Sequence, residues 1–399
     1  MQVTLVSLGG GLEHTVTAEC AAALREAGCI IGAGRLLEHL PQGCTDRRIA
    51  AVKPQEVLDA VLAQGRGCAV VYSGDAGFYS GARGLLPLLA ERDISARVLP
   101  GVSSVQLLAA RLGLPWQDWA LVSAHGTDCD PVAAVSGGRP AFFLTGGALG
   151  PGEICRRLTE AGLGDLSVTV GENLSARSER IVFGTAAELA GKDFPSLSVL
   201  LAEAAPRYEP RCPGIPDGEF VRGQVPMTKQ EVRAAALAKL AVRPGQVLWD
   251  VGAGTGSVSV ELALAAPRGR VYAVECGEEA CALIRDNRRK FSAWNLHLVE
   301  GKAPQSLRDL PAPDGVFIGG TKGAMADIVD AVLSKNPAAR ICISAIALET
   351  LSAAVSALTA RGLEAQAVQI AVSRTRAAGS LHLLMGGNPT FLITGNCHD

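Results

Sequence analysis

Residues 247–263 read VLWDVGAGTGSVSVELA. A short apolar run enters a turn with three glycines in five residues, Gly252, Gly254 and Gly256, and a segment with helical spacing leaves it. This stretch constrains the fold more than any other. It demands a strand that stops at a sheet edge and a backbone free to bend and approach a ligand. It also demands a helix whose first amides face whatever the turn holds. A dinucleotide-binding turn spaces its glycines GxGxxG. Here position 257 is Ser and the spacing is DxGxGxG from Asp250. Glu275 closes the next apolar run, RVYAVE, 19 residues after Gly256. A carboxylate there can accept hydrogen bonds from both hydroxyls of a ribose.

The turn comes some 250 residues into a chain of 399, a length that fits two to three domains. Residues 201–226 hold five prolines, at 206, 210, 213, 216 and 226, and no other stretch is so dense in them. The boundary is therefore expected near 205–212. That gives a first domain over 1–205, a proline-rich linker and approach over 206–226, and a second domain over 212–399. Hydrophobic residues make up 48% and charged residues 19%, enough apolar surface for a sizeable core. The net charge of −2 argues against a dominant nucleic-acid footprint. It is split unevenly: 16 Lys+Arg against 21 Asp+Glu in residues 1–205, then 21 against 18 in 206–399. An anionic ligand and ordinary scatter both account for the basic second half. Arg outnumbers Lys 29 to 8, a bias that carboxylate recognition or a GC-rich genome produces. The eleven cysteines show no CxxC and no metal-ligand spacing, so no metal is expected and they read as reduced cytosolic thiols. Cys397–His398 reads as a frayed tail. The N-terminus lacks a basic n-region and Glu13 follows GGG, so no signal peptide is expected. With no run of 18 apolar residues, no membrane span is expected either. The predicted location is cytoplasmic.

Both halves alternate apolar β-branched runs with helical patterns, which predicts α/β domains. In the first half VTLVS, CAVVY, ARVLP, AFFL, SVTVGE and SVLLA read as strands. Ser103–Gln106 reads as a capping box whose helix ends at Gly113. In the second half Thr228–Glu231 reads as another capping box. VLWD, RVYAVE, LHLVEG, DGVFIGG and ARICISAI read as strands one to five. LHLLM and PTFLI read as an antiparallel pair at the sheet edge.

Asp250, the three glycines, Glu275 and the strand order favour S-adenosylmethionine over NAD and predict a class I, Rossmann-like methyltransferase fold. GIPDGEF, the turn itself, EGKAPQSL and PDGVFIGG resemble the cobalamin-pathway methyltransferases that act at carbon 15 of a precorrin and remove an acetate carboxyl. The first half resembles the tetrapyrrole methylases through LVSLGGG, YSGDAGFYSGA, LPGVSSVQLLAARLGLPWQDWALVSAHG and VGENL. IIGAGRLLEHL points to the carbon-5 subgroup. One departure is Gly10, where relatives carry proline. Taken together, the chain resembles the fused precorrin C(5,15)-methyltransferases of vitamin B12 biosynthesis. That resemblance implies a two-lobed class III methyltransferase domain followed by the class I domain. It also implies two S-adenosylmethionine sites per chain, a tetrapyrrole polycarboxylate substrate, no nucleic-acid or membrane partner, and a homo-oligomer. The alternative is an RNA-modifying methyltransferase, since both folds also serve RNA.

Methyl transfer from a sulfonium needs position and a dry site more than a catalytic triad. In the second half, Gly252, Ala253, Gly254, Thr255, Gly256 and Glu275 are the expected cofactor residues. By resemblance Thr228 and Ala303 border them, although Thr228 also suits a helix cap. Gly319, Gly320 and Thr321 are expected to present substrate. Asp217, Glu219 and Lys229 are candidate proton donors for decarboxylation, or solvated charges. In the first half the resemblance places cofactor contacts at Leu8, Gly9, Ser73, Gly74, Asp75, Phe78, Ser103, Ser104, Leu144 and Thr145. Asp75 can meet the ligand or hold its own turn, and His125 is a carbon-5 base or a structural residue. Arg35, Arg83, Arg374 and Arg376 are candidate carboxylate clamps, or surface charge.

Overall fold

The computed structural model describes residues 2–11, 13–64, 67–125, 129–147, 149–208 and 213–396. The chain divides into two compact units, Met1–Ala205 and Pro206–Asp399. Cys397–His398 lies outside the described residues.

The N-terminal unit holds two five-stranded sheets. β1 (Gln2–Ser7), β2 (Cys29–Gly32), β3 (Arg48–Ala50), β4 (Cys68–Tyr72) and β5 (Ser95–Leu99) form an all-parallel sheet in the order β3-β2-β4-β1-β5. Its strands are short apolar runs such as CAVVY, as expected where helices cover both faces. β6 (Ala120–Ser123), β7 (Ala141–Leu144), β8 (Ser167–Glu172), β9 (Arg180–Thr185) and β10 (Ser198–Ala202) form the second sheet in the order β6-β7-β10-β8-β9. Only its β6–β7 pair is parallel. Helix Ser104–Leu112 starts at the expected capping box, with the Ser103 N–H donating to Gln106 Oε1 at 2.8 Å. It stops at Gly113, whose left-handed φ of 66° closes the last turn.

The C-terminal unit is built on β11 (Val247–Val251), β12 (Arg270–Glu275), β13 (Leu296–Glu300), β14 (Gly315–Ile318), β15 (Arg340–Ala345) and β16 (Glu364–Ile370). β17 (Ser373–Ala378), β18 (Leu381–Gly386) and β19 (Thr390–Asn396) follow. Seven strands order as β13-β12-β11-β14-β15-β19-β16, with the first five parallel and β19 antiparallel to both neighbours. Alternating residues feed two cores. Leu248, Ala273 and Phe317 pack on one face, Trp249, Val251, Ile318 and Ile343 on the other. Each fully buried Leu or Ile contributes about 1.5–3 kcal/mol.

Two expectations need correction. LHLLM is not in the main sheet: β18 pairs only with β17 in a separate two-stranded ribbon, and β19 pairs with β15 and β16 instead. SRTRAA and LHLLMG are exposed along their length, so neither strand has a buried face to dock. The second capping box is also displaced. The N-cap of helix Gln230–Leu240 is Lys229, with no side-chain cap of its own. Asp217, from thirteen residues earlier, accepts the Gln230 N–H at 2.9 Å. No described helix is long and apolar enough to cross a membrane.

Candidate active sites

In the C-terminal unit the strand order reverses between β11 and β14, and ligands of open α/β sheets bind beyond the carboxyl ends of strands at such a point. The loops there meet backbone to backbone. Gly252 has φ 73°, and a Cβ on it would lie 2.5 Å from Gly320 O and 2.7 Å from Gly320 N. The Gly252 N–H donates to Val274 O and the Gly319 N–H to Val251 O, each at 2.9 Å. Glu275 fastens the turn from the side: Oε2 accepts the Gly254 N–H at 2.9 Å. Its Oε1 accepts the N–H groups of Cys276 and Gly277 at 2.8 and 2.9 Å. A carboxylate has about four acceptor positions, so with three taken by amides about one remains open toward a ligand hydroxyl.

These loops wall a cavity of about 1110 Å³, at the upper end of small-molecule sites. Of the expected residues, Thr228, Lys229, Gly252, Ala253, Gly254, Glu275, Ala303, Gly319, Gly320, Thr321 and Arg374 lie on its wall. Thr255 and Gly256 sit behind the turn. Thr255 is buried with no partner for its hydroxyl, and Gly256 caps helix Ser257–Ala265 at φ 75°. Asp250 is also behind it, fully buried, with Oδ2 accepting the Ser259 hydroxyl at 2.5 Å and Oδ1 without a partner. Burial raises its pKa from 3.8 to about 7, against the pull of the Ser259 hydrogen bonds.

The candidate proton donors separate. Asp217 caps a helix and pairs with Arg233 at 2.9 Å, while Glu219 accepts the Tyr208 hydroxyl at 2.7 Å. Neither is on the cavity wall, whereas Lys229 is. Arg374 is on the wall but already pairs with Glu231 at 2.5 Å and lies 3.7 Å from Asp217. Arg376 is exposed on β17 and is not on the wall.

Sequence reading missed the hub beneath the wall. Arg233 is fully buried, with Nε on Glu261 at 2.8 Å and its plane over the Phe220 ring at 4.6 Å. The guanidinium also donates to the carbonyls of Ile215 and Thr228. Glu261 in turn accepts the N–H groups of Gly214 and Ile215 at 2.9 and 3.1 Å. The hub thus pins the GIPD segment and the chain leading to Thr228. Glu261, an acid inside the apolar run SVSVELALA, was the available signal, since a buried charge requires a partner. Lys302, Lys322 and Cys276 were missed as well; all three are on the wall.

In the N-terminal unit the turns after β1 and β4 lock together. The Gly9 N–H donates to Gly74 O at 3.0 Å and the Gly74 N–H returns to Gly9 O at 2.7 Å. The loop after β5 presses on both: a Cβ on Gly101 would lie 2.5 Å from Ser7 Cβ and 2.6 Å from Gly74 O. Asp75 spends both oxygens on amides, Oδ1 on Gly77 and Oδ2 on Gly101, each at 2.8 Å, the turn-holding one of its two readings. Leu8 is buried, with its N–H on Tyr72 O, and Ser73 is exposed beside it. Ser103 is buried at the start of its helix and Ser104 follows, half-buried. Phe78 packs on Phe142, and Leu144 joins the same cluster. Thr145 turns its hydroxyl onto Ser198 O at 2.7 Å. His125 Nδ1 lies 3.4 Å from Thr145 O, and its ring occupies the space a Cβ on Gly146 would need, which favours the structural reading. Gly10 has a physical reason to be glycine here: a Cβ would collide with the Ser175 side chain. Arg35 and Arg83 are exposed on helices Gly34–Leu37 and Ala82–Ala90.

A family model for tetrapyrrole (corrin/porphyrin) methylases matches residues 2–190, and one for a precorrin methyltransferase domain matches residues 219–393. The chain is 34% identical over 345 residues to a decarboxylating precorrin-6Y C(5,15)-methyltransferase of Sinorhizobium sp, covering 83% of this chain and 82% of that one. It is 46% identical over 185 residues to a probable decarboxylating cobalt-precorrin-6B C(15)-methyltransferase of Pyrobaculum calidifontis, 46% of this chain and 95% of that one. The solved precorrin-6Y C5,15-methyltransferase of Geobacter metallireducens GS-15 matches 46% of this chain and 97% of its own at 40% identity, with a TM-score of 0.45.

Proposed function

The chain belongs to the family of decarboxylating precorrin-6Y C(5,15)-methyltransferases, and from that premise we propose that it carries out both methylations and the decarboxylation itself. The N-terminal unit methylates carbon 5 of the macrocycle. The C-terminal unit methylates carbon 15 and removes the ring C acetate carboxyl, giving precorrin-8. The observation that carries this reading is that both family models match one chain in order, and that a single relative with that combined activity spans most of it. The relatives act on precorrins, which favours this reading over an RNA substrate.

S-adenosylmethionine, when bound, supplies an activated methyl group at each of two proposed sites. The glycine cradle suits it in the C-terminal unit: Gly252 and Gly254 leave no side chain between the ligand and the backbone, and Glu275 keeps acceptor capacity toward a ribose. Ala253, Thr228 and Ala303 complete the wall. The loops after β1, β4 and β5 form the corresponding site in the N-terminal unit, with the Gly9–Gly74 bridge exposing loop backbone.

Decarboxylation needs a proton after carbon dioxide leaves. The carbon–carbon bond breaks, its electron pair enters the conjugated ring imine, and the remaining carbon takes up a proton. Lys229 is the candidate that faces the cavity, and we assign it that proton. Gly319 and Gly320 let a flat ring lie against backbone.

The test is incubation of the full chain with precorrin-6B and S-adenosylmethionine. The expected result is two methyl groups gained and one carbon dioxide lost per macrocycle; an unchanged mass overturns the proposal. Calorimetric titration with S-adenosylhomocysteine is expected to show two sites per chain, and one site would remove a unit from the scheme. A cytoplasmic, self-associating enzyme completes the reading, and sedimentation of the full chain checks the association.

A further inference from the structure

Three of the chain's eight lysines, Lys229, Lys302 and Lys322, line the C-terminal cavity. In a chain whose basic residues are mostly arginine, this concentration is not a matter of composition. Two of the three have no place in the scheme above. We propose that Lys302 and Lys322 form a carboxylate clamp that seats the acid side arms of the macrocycle in the C-terminal unit. The inference rests on the functional reading above and adds the residues that select the substrate.

The charge balance of the wall carries the argument. Its charged side chains are Lys229, Lys302, Lys322, Arg374 and Glu275. Glu275 already serves three backbone amides, and Arg374 is already answered by Glu231. The three ammonium groups therefore set the cavity's sign. A cofactor with a sulfonium and an ammonium against a single carboxylate is net cationic and can answer at most one of them. They are matched in full only by a second occupant that is strongly anionic.

The placement fits the same occupant. Lys302 follows β13 and Lys322 follows β14, so they approach from loops on either side of the glycine turn. Lys322 holds a left-handed φ of 48°, a conformation that costs a non-glycine residue free energy and tends to persist at ligand sites. Its Nζ donates to Cys276 Sγ at 3.0 Å, which positions the ammonium and leaves it two further donors. A lysine's flexible stem and point charge suit side arms that must shift as one carboxyl is lost.

The test uses the full chain with Lys302→Ala, Lys322→Ala, the double variant and Lys322→Glu. Each alanine change is expected to raise KM for the precorrin in carbon dioxide release by roughly tenfold, as for a lost charge-assisted hydrogen bond. The double and charge-reversed variants are expected to show more. S-Adenosylhomocysteine affinity is expected to hold, and Lys53→Ala, an exposed lysine of the other unit, is expected to change nothing. Binding of an octacarboxylate porphyrin, followed by fluorescence, is expected to lose one phase in the double variant. Its octamethyl ester is expected to bind wild type and variant alike. Unchanged KM and isotherms overturn the clamp. So does a parallel loss of S-adenosylhomocysteine affinity, which would put the lysines on the cofactor side. Lysine-dependent porphyrin binding by a chain that turns over no precorrin would sink the functional reading and leave the clamp standing.

Discussion

The two units solve one problem in two ways. Each brings a parallel strand to a stop and bends the backbone hard, and in the proposed function each presents amides to a ligand. The C-terminal unit does it with one turn, in which Gly252, Gly254 and Gly256 all take positive φ. The N-terminal unit does it with two turns, tied by the mutual hydrogen bonds of Gly9 and Gly74. In both an acid gathers amides from neighbouring loops, Glu275 in one and Asp75 in the other. Only Glu275 stands on the wall of the large cavity. An acid beside a glycine turn is thus first a fastener, and its position relative to a cavity decides whether it is also a contact.

The largest effect should come from filling the glycine spaces. Gly252→Val places a branched side chain at positive φ and against the backbone of Gly320, which should cost more than about 4 kcal/mol. Carbon dioxide release and one S-adenosylhomocysteine site should disappear while carbon-5 methylation persists. Gly101→Ala is the counterpart. It meets Ser7 and Gly74 but carries no positive-φ strain, so its damage should be smaller and confined to the N-terminal site. Calorimetry of both variants measures the contrast, and equal losses would erase it.

Next comes the buried hub, which has no described equivalent in the N-terminal unit. Arg233→Met leaves Glu261 buried without its cation and should destabilise the C-terminal unit by about 3–5 kcal/mol. The double change Arg233→Met with Glu261→Gln should recover much of that, as read from urea unfolding.

Smaller changes separate the two acids. Glu275→Gln should weaken one S-adenosylhomocysteine site by about 10- to 100-fold through lost charge-assisted bonds. Asp75→Asn should instead lower the unfolding midpoint of the N-terminal unit, by about 1–3 kcal/mol. If Asp75→Asn weakens ligand binding as strongly without loss of stability, it is a ligand contact after all.

A separate test, on stability alone, is one of pH. The folded pKa of Asp250, about 7, lies above its ordinary 3.8. Its contribution is therefore whole below pH 3.8 and is lost as pH rises through about 7. Asp250→Asn removes that titration. Its stability relative to wild type should grow by about 1.4 kcal/mol per pH unit across the window and level off above it. Parallel curves at pH 5 and pH 8 would mean that Asp250 is ionised in the fold.

Much of this was legible because it is local. The strand–turn–helix at 247–265 follows from the spacing of glycines and apolar residues, and the Ser103 capping box from four adjacent residues. The edge of the C-terminal sheet was not. EAQAVQI, which forms β16, alternates small and polar residues with no strong apolar face, and β18 has the apolar content of a sheet strand without a buried partner. The cap of helix Gln230–Leu240 was misplaced because its acceptor, Asp217, comes from outside the window that a local rule inspects.

Sequence alone determined the kind of turn, the acid that faces it, the α/β class of both halves and the family they resemble. These are carried by backbone requirements and short-range spacing, which the order of residues states directly. Tertiary structure decided which charges meet. It gave Asp217 and Glu219 to packing and Lys229 to the cavity, buried Arg233 against Glu261, and gathered Lys302 and Lys322 onto one wall. Those outcomes depend on desolvation and distance between residues far apart in the chain, and neither exists until the sheet has formed.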